Sequence, residues 1–154
     1  MPHNFLYLGL IVAALPEAKL VHVKRDPRAV CWSNYKQYFE SKYLGYSYDL
    51  DNTISYYRFY EDLMNFWRIK LSKNFYNLNY EQLTINQENE TRNLIDYLDL
   101  VWDAKCLSPH KNFRSVTTSS NIQVRKKIYQ NSSEQWKKYA SFLNCKLDDL
   151  LTSI

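Results

Sequence analysis

Arg25 and Ser33 are the residues whose types and spacing point most directly to chemistry. Arg25 follows the β-branched run Lys19 to Lys24 and precedes Asp26-Pro27. Asp is a good helix N-cap and Pro suits the first helical position, so a strand ends and a helix starts here. Open α/β sheets bind ligands at the carboxyl ends of their strands. The dipole of a helix N-terminus favours an anion there, and the planar Arg fork grips a phosphate with two bonds. Ser33 adds a hydroxyl donor, and the small Ala29 leaves room for a ligand. The plainer alternative is an exposed Arg and a solvated Ser.

Two further segments carry chemical potential. Thr117 to Lys127 (TTSSNIQVRKK) combines hydroxyls, amides and the consecutive cations Arg125, Lys126 and Lys127. It is either a flexible lid over an anion or a solvated surface loop. As a nucleic-acid patch one cationic triplet is weak. Tyr80-Glu81 closes a second strand-like run. Its ring suits packing on a base and its hydroxyl suits donation, or it is a strand-end aromatic in the core. The sequons at Asn89 and Asn131 are expected by chance in so Asn-rich a chain.

The elements that must position these residues follow from periodicity. Phe5 to Leu15 is an apolar helix stopped by Pro16. Lys19 to Lys24 is a short buried strand. A helix runs from about Pro27 to Phe39, with Trp32, Tyr35 and Phe39 on its core face, widened by Cys31 and Tyr38. Ala29, Ser33 and Gln37 lie on the other side. Ser41 to Asp49 is a mobile, tyrosine-rich loop, and Asp51 to Thr53 offers caps. A long amphipathic helix carries Ile54, Tyr57, Tyr60, Met64, Trp67 and Leu71. Phe75 to Tyr80 is a second strand and Glu88 to Leu98 a helix with acids in its first turn. Val101 to Val116 is irregular. Ser132-x-x-Gln135 is a capping box before Trp136 and Tyr139. Leu147, Leu150 and Leu151 mark a last helix. The order is that of an α/β layout on a parallel sheet. Two strands are too few for an independent parallel sheet, so the chain is expected to be the second part of a larger α/β domain.

Composition sets the exclusions. A chain of 154 residues has room for one domain. No apolar run is long enough to span a bilayer. The net charge of +4 leans toward anionic ligands and falls short of a dedicated nucleic-acid binder. The two glycines, Gly9 and Gly45, stand too far apart for a Walker loop or a G-x-G-x-x-G cradle. Cys31, Cys106 and Cys145 form no C-x-x-C. Neither a disulfide framework nor a zinc ribbon is expected. Reduced thiols in a reducing compartment, the cytoplasm, fit best. His3, His22 and His110 are scattered and suggest no metal site.

These pieces, in this order, resemble the sulfotransferases that use 3′-phosphoadenylyl sulfate. The likeness is greatest to bacterial forms often fused to tetratricopeptide repeats, with protein-tyrosine sulfotransferases more distant. It rests on the R-D-P…C-x-S-x-Y-K-Q pattern within MPHNFLYLGLIVAALPEAKLVHVKRDPRAVCWSNYKQYF, and on NYEQL and SSNIQVRKKIYQNSSEQWKKY. The resemblance implies a partial sulfotransferase (P-loop-like) α/β fold, with short parallel strands flanked by helices. Residues 1–154 would be the C-terminal portion of a single domain. Arg25 and Ser33 would bind the 3′-phosphate and Tyr80 the adenosine. Ser120, Gln123, Val124, Arg125, Lys126, Lys127 and Tyr129 would wrap the nucleotide. Ser120 resembles a serine near the transferring sulfuryl group and is the candidate catalytic residue. Gln135 stands where the family usually has Arg or Lys.

The resemblance also implies 3′-phosphoadenylyl sulfate as cosubstrate, the 3′,5′-bisphosphate nucleotide as product, and no metal. The activity it implies is transfer of a sulfuryl group to a hydroxyl or amine, and the partners are that sulfate acceptor (small molecule, glycan or protein side chain) and a repeat region upstream, with no nucleic acid and no membrane. The family's G-x-P-R-S-G-T phosphosulfate loop, catalytic Lys and general base would lie upstream of the matched stretch. The chain alone is therefore expected to be nearly inactive. The competing expectation is an inactive nucleotide-binding or interaction remnant.

Overall fold

The computed structural model describes residues 3–116, 122–143 and 146–151. A 3-10 turn, Asn4–Tyr7, leads into α1 (Leu8–Ala14), which ends before Pro16 as the breaker dictates. β1 (Leu20–Lys24) follows, then α2 (Pro27–Tyr35). After 3-10 turns over Lys42–Tyr48 comes the long α3 (Leu50–Lys70). β2 (Phe75–Asn79) runs straight into α4 (Tyr80–Ile85), and α5 (Gln87–Tyr97) completes the regular part. Beyond it the described residues form short 3-10 turns and a 3-10 segment, Ser132–Phe142. The fold is α/β, and its sheet holds β1 and β2 in parallel, with Leu20 opposite Phe75 and Lys24 opposite Asn79.

Asp26 caps α2 through the Ala29 N–H at 3.0 Å, with Pro27 in the first turn. The cap of α3 is Asp49, which accepts from the Asn52 N–H at 2.8 Å, and not the expected Asp51 to Thr53. Asn79 likewise caps α4, a helix the sequence pattern did not separate from the strand.

The core lies along α3. Cys31, Ile54, Tyr57, Trp136, Leu147 and Leu150 close one cluster between α2, α3 and the C-terminal segments. Phe5, Leu8 and Met64 close a second between α1 and α3, and Tyr60 packs against both. Gly9 is where α1 meets α3: a Cβ there would lie 2.8 Å from the Trp67 ring.

Four further expectations are corrected. β1 is not buried on both faces: Val21 is 38% and Val23 52% exposed. Their face is covered over β2 only, where Tyr76 stacks on Tyr97 of α5 and Leu78 is buried. α2 stops at Tyr35 and its core face is only in part the expected one: Cys31 is buried and Trp32 packs against the core as expected, but Tyr35 and Tyr38 are exposed and Ala29, expected on the other side, is buried. Ser41 to Asp49 is no open loop. Ser47 is fully buried, its hydroxyl donating to the Leu44 carbonyl at 2.8 Å, and Tyr46 stacks on Tyr56. Ser132 caps nothing: it begins the helical segment behind Asn131, and its hydroxyl turns inward to Tyr80.

Candidate functional site

The parallel register places the ends of β1 and β2 side by side, so Arg25 and Tyr80, each one residue past a strand, become neighbours. The Arg25 guanidinium lies over the Tyr80 ring, 4.9 Å from its centroid. Its Nε donates to Ser133 Oγ at 3.0 Å and its Nη2 to the Ser132 carbonyl at 2.9 Å. The Tyr80 hydroxyl shares a 2.9 Å hydrogen bond with Ser132 Oγ. Ser133 Oγ donates to Glu81 Oε1 at 2.5 Å, and the same carboxylate accepts the Asp26 N–H at 3.1 Å. One polar network thus joins the end of β1, the start of α4 and the 132–133 segment.

These groups border a cavity of about 90 Å³ that runs along α2. Ala29, Trp32 and Ser33 line it from α2, Lys36 from just past the helix end, and Arg25 and Tyr80 from the strand ends. Spacings of three and four put those α2 residues on one helix face. Gln123, Tyr129, Ser132 and Gln135 close it from the C-terminal side. The Lys36 ammonium donates to Gln135 Oε1 at 3.2 Å, which brings a second cation to the cavity. With Arg25, Lys36, the Ser33 hydroxyl and the Tyr80 ring, the donor set suits a phosphate beside an aromatic base. The volume has room for a phosphate group and not for a whole nucleotide.

Electrostatics at the helix start are set by Asp26. Burial pushes its carboxyl up, but the Arg28 hydrogen bond, the Ala29 N–H and the Arg28 charge outweigh that and hold it below its ordinary value. Arg28 pairs with Asp26 at 2.9 Å and lies 4.6 Å from the Trp136 ring centroid. It therefore pins the Ser132–Phe142 segment to the start of α2. On α2's core side, burial and then the Asp26 charge push the Cys31 thiol up to about 12.

Of the sequence-based candidates, Arg25, Ser33, Tyr80, Gln123 and Tyr129 meet at this cavity. Val124, Arg125, Lys126 and Lys127 are not among its lining residues. Arg125 is engaged elsewhere, donating to the carbonyls of Asn112 and Arg114. Ser120 lies outside the described residues. Four contributors escaped the sequence reading: Lys36, Trp32, Ser132 and Ser133. The i, i+3, i+4, i+7 series Ala29, Trp32, Ser33, Lys36 was the signal for the first two. For the serines no local spacing was the signal, because their partners Arg25, Tyr80 and Glu81 lie 52 to 108 residues away in sequence.

Among the described residues no group of His, Cys, Asp and Glu is arranged to hold a metal ion. No helix is long and apolar enough to cross a membrane among them either.

A polar cavity past the carboxyl ends of two parallel strands, lined by Arg25 and Lys36, is the candidate site of this α/β fold. Residues 1–104 match the sulfotransferase family, and the chain belongs to it. A protein of Aquifex aeolicus (strain VF5), named only "Uncharacterized protein", is 37% identical over 145 residues. The match covers 93% of this chain and 19% of that protein, so the chain spans about a fifth of the relative's length.

Proposed function

We propose that this chain supplies the part of a sulfotransferase that holds the 3′-phosphate and adenosine of 3′-phosphoadenylyl sulfate. The observation that carries the reading is the convergence of Arg25, Ser33, Lys36 and Tyr80 on one small cavity past two parallel strand ends. Arg25 is held by Ser132 and Ser133, which use two of its five N–H donors and aim the rest. Ser33 adds a neutral donor and Lys36 a mobile cation. Tyr80 offers a face to the adenine, with its hydroxyl anchored on Ser132.

Bound there, the nucleotide supplies an activated sulfuryl group. The acceptor oxygen or nitrogen forms a bond to sulfur as the bond from sulfur to the bridging phosphate oxygen breaks. The electron pair stays on that phosphate and the acceptor proton passes to a base. As in phosphoryl transfer, positioning and electrostatics carry such a step. This chain's residues do the positioning. With no glycine-rich cradle for the 5′-phosphosulfate among its 154 residues, the chain by itself is expected to bind nucleotide without turnover. Ser120 and the cationic run Arg125 to Lys127 are proposed to approach the nucleotide from the C-terminal side once it is bound.

The test is isothermal titration of the chain with adenosine 3′,5′-bisphosphate, adenosine 5′-monophosphate and inorganic phosphate. The expected result is a preference of at least about tenfold for the bisphosphate, the equivalent of one charge-assisted bond. Equal affinities for the two nucleotides would overturn the reading.

A further inference from the structure

Both cations that line the phosphate-sized cavity are held by neutral groups. Arg25 donates to the Ser133 hydroxyl and the Ser132 carbonyl. Lys36 follows the last residue of α2, and its backbone is still helical, with φ −76° and ψ −11°. Its side chain therefore continues the side of the helix that carries Ser33 and Trp32, three and four residues back. Its ammonium donates to Gln135 Oε1 at 3.2 Å, and Gln135 lines the same cavity. An amide oxygen accepts from an ammonium without cancelling its charge, so Gln135 holds an otherwise mobile cation at the site.

Carboxylates are close by and are kept out. Asp26, Glu81 and Glu134 are each the sequence neighbour of a lining residue: Arg25, Tyr80 and Gln135. Asp26 pairs with Arg28 at 2.9 Å, and Glu134 takes the Lys137 ammonium at 2.6 Å. Glu81 accepts from the Ser133 hydroxyl and the Asp26 N–H. No carboxylate is among the described residues that line the cavity. Among the described residues neither Arg25 nor Lys36 forms an ion pair.

Two uncancelled cations on a cavity of about 90 Å³ match two negative charges on one tetrahedral group. A phosphate monoester carries close to that charge at neutral pH, its second pKa being about 6. A sulfate monoester has the same shape and one charge. It would answer one cation and leave the other facing a space too small for a second anion.

We propose that the cavity discriminates by charge as well as shape. It takes a terminal phosphate monoester and rejects a monoanionic ester of the same size. Lys36 is the specificity-determining residue, and Gln135 is the residue that positions it. The charge class rests on the cavity alone; that the monoester is the 3′-phosphate of a nucleotide rests on the function proposed above. On that reading, the discrimination keeps sulfate-ester products out of the site that holds the donor's phosphate.

The experiment titrates the chain at pH about 7.5 with adenosine 3′-monophosphate and adenosine 3′-sulfate, which differ in charge at constant shape. Methyl phosphate, methyl sulfate and adenosine 5′-monophosphate are titrated on the same samples. The 3′-phosphate is expected to bind about tenfold tighter than the 3′-sulfate, the equivalent of one charge-assisted bond. Lys36 and Gln135 are both exposed, so substitution there leaves the core untouched. Lys36→Met should cut the ratio to about threefold or less, and Lys36→Arg should keep it. Gln135→Glu turns the tether into an ion pair that cancels the ammonium, and should cut the ratio as Lys36→Met does. A ratio near one in the unaltered chain, or a ratio that Lys36→Met or Gln135→Glu leaves in place, overturns the proposal. A Lys36-dependent preference for methyl phosphate over methyl sulfate, with the 3′- and 5′-monophosphates bound equally, upholds it and overturns the nucleotide reading.

Discussion

Replacing Arg25 by Ala tests the proposed nucleotide site at its centre. The guanidinium stacks 4.9 Å from the Tyr80 centroid and is fixed by bonds of 3.0 Å to Ser133 Oγ and 2.9 Å to the Ser132 carbonyl. Its unspent N–H donors are therefore pre-aimed, and little side-chain entropy is lost when an anion arrives. Removing a charged donor from a phosphate costs on the order of 1.5–3 kcal/mol. That corresponds to a loss of about 10- to 150-fold in affinity for adenosine 3′,5′-bisphosphate. Adenosine 5′-monophosphate, with no 3′-phosphate, should lose far less, so the ratio of the two dissociation constants collapses. Arg25→Lys keeps the charge without the fork and should fall between. Titration calorimetry gives the ratio, and circular dichroism confirms that each variant is folded. A folded Arg25→Ala chain with an unaltered ratio would refute the assignment of Arg25 to the 3′-phosphate.

Three other outcomes follow from the packing. Gly9→Ala gains about 1 kcal/mol of helix propensity. It also sets a methyl 2.8 Å from a Trp67 ring whose Nε1 is tied to the Phe5 carbonyl at 2.8 Å. Overpacking at about 1–3 kcal/mol wins, and thermal melts should show a net loss of about 1 kcal/mol. His22 is lowered from 6.5 by burial, which outweighs the Asn77 hydrogen bond, with the Lys24 charge adding to the lowering. The folded state then binds that proton less tightly than the unfolded chain. Stability held above pH 6.5 must fall as pH drops through 6.5 toward the lower folded value. Melting curves between pH about 7.5 and about 5 should show the drop, and His22→Gln should flatten it. Cys31 is fully buried, with its thiol raised to about 12. Mass spectrometry after iodoacetamide treatment at neutral pH should find Cys31 unmodified until denaturant is added.

Local rules made much of the fold legible. Asp26-Pro27 fixed the start of α2, and the 3.6-residue period of Ile54, Tyr57 and Met64 announced α3 and its buried face. Strand ends put Arg25 and Tyr80 on the ligand side of the sheet, but only the register could show that they touch. The core face of α2 is legible at Cys31 and Trp32, which pack in the core as their spacing predicts, and not at Tyr35 and Tyr38, whose size suggests a burial that the structure does not give them. The small Ala29 reaches both the core and the cavity. The exposure of Val21 and Val23 was equally hidden. A β-branched run states that a residue suits a sheet and is silent on how much of that sheet a neighbouring helix covers. Ser132 looked like a cap because its spacing to Gln135 fits one, and nothing local reveals that its hydroxyl has a better partner in Tyr80.

The way Arg25 is held bears on whether it serves an anion or the fold. Glu81 lies close enough to have neutralised it, yet no ion pair joins them among the described residues. Ser133 stands between, accepting from Arg25 Nε and donating to Glu81 Oε1. Glu81 spends its remaining capacity on the Asp26 N–H. The carboxylate therefore orders the serine and the helix start, and the serine orders the guanidinium. A direct pair would have cancelled the charge in place and left a structural bridge. The relay transmits geometry and leaves the guanidinium at the cavity, which Lys36 also lines. Two cations brought to one small space repel each other. On the proposed reading, a phosphate entering there relieves that repulsion, so ligand binding and the local charge arrangement support each other.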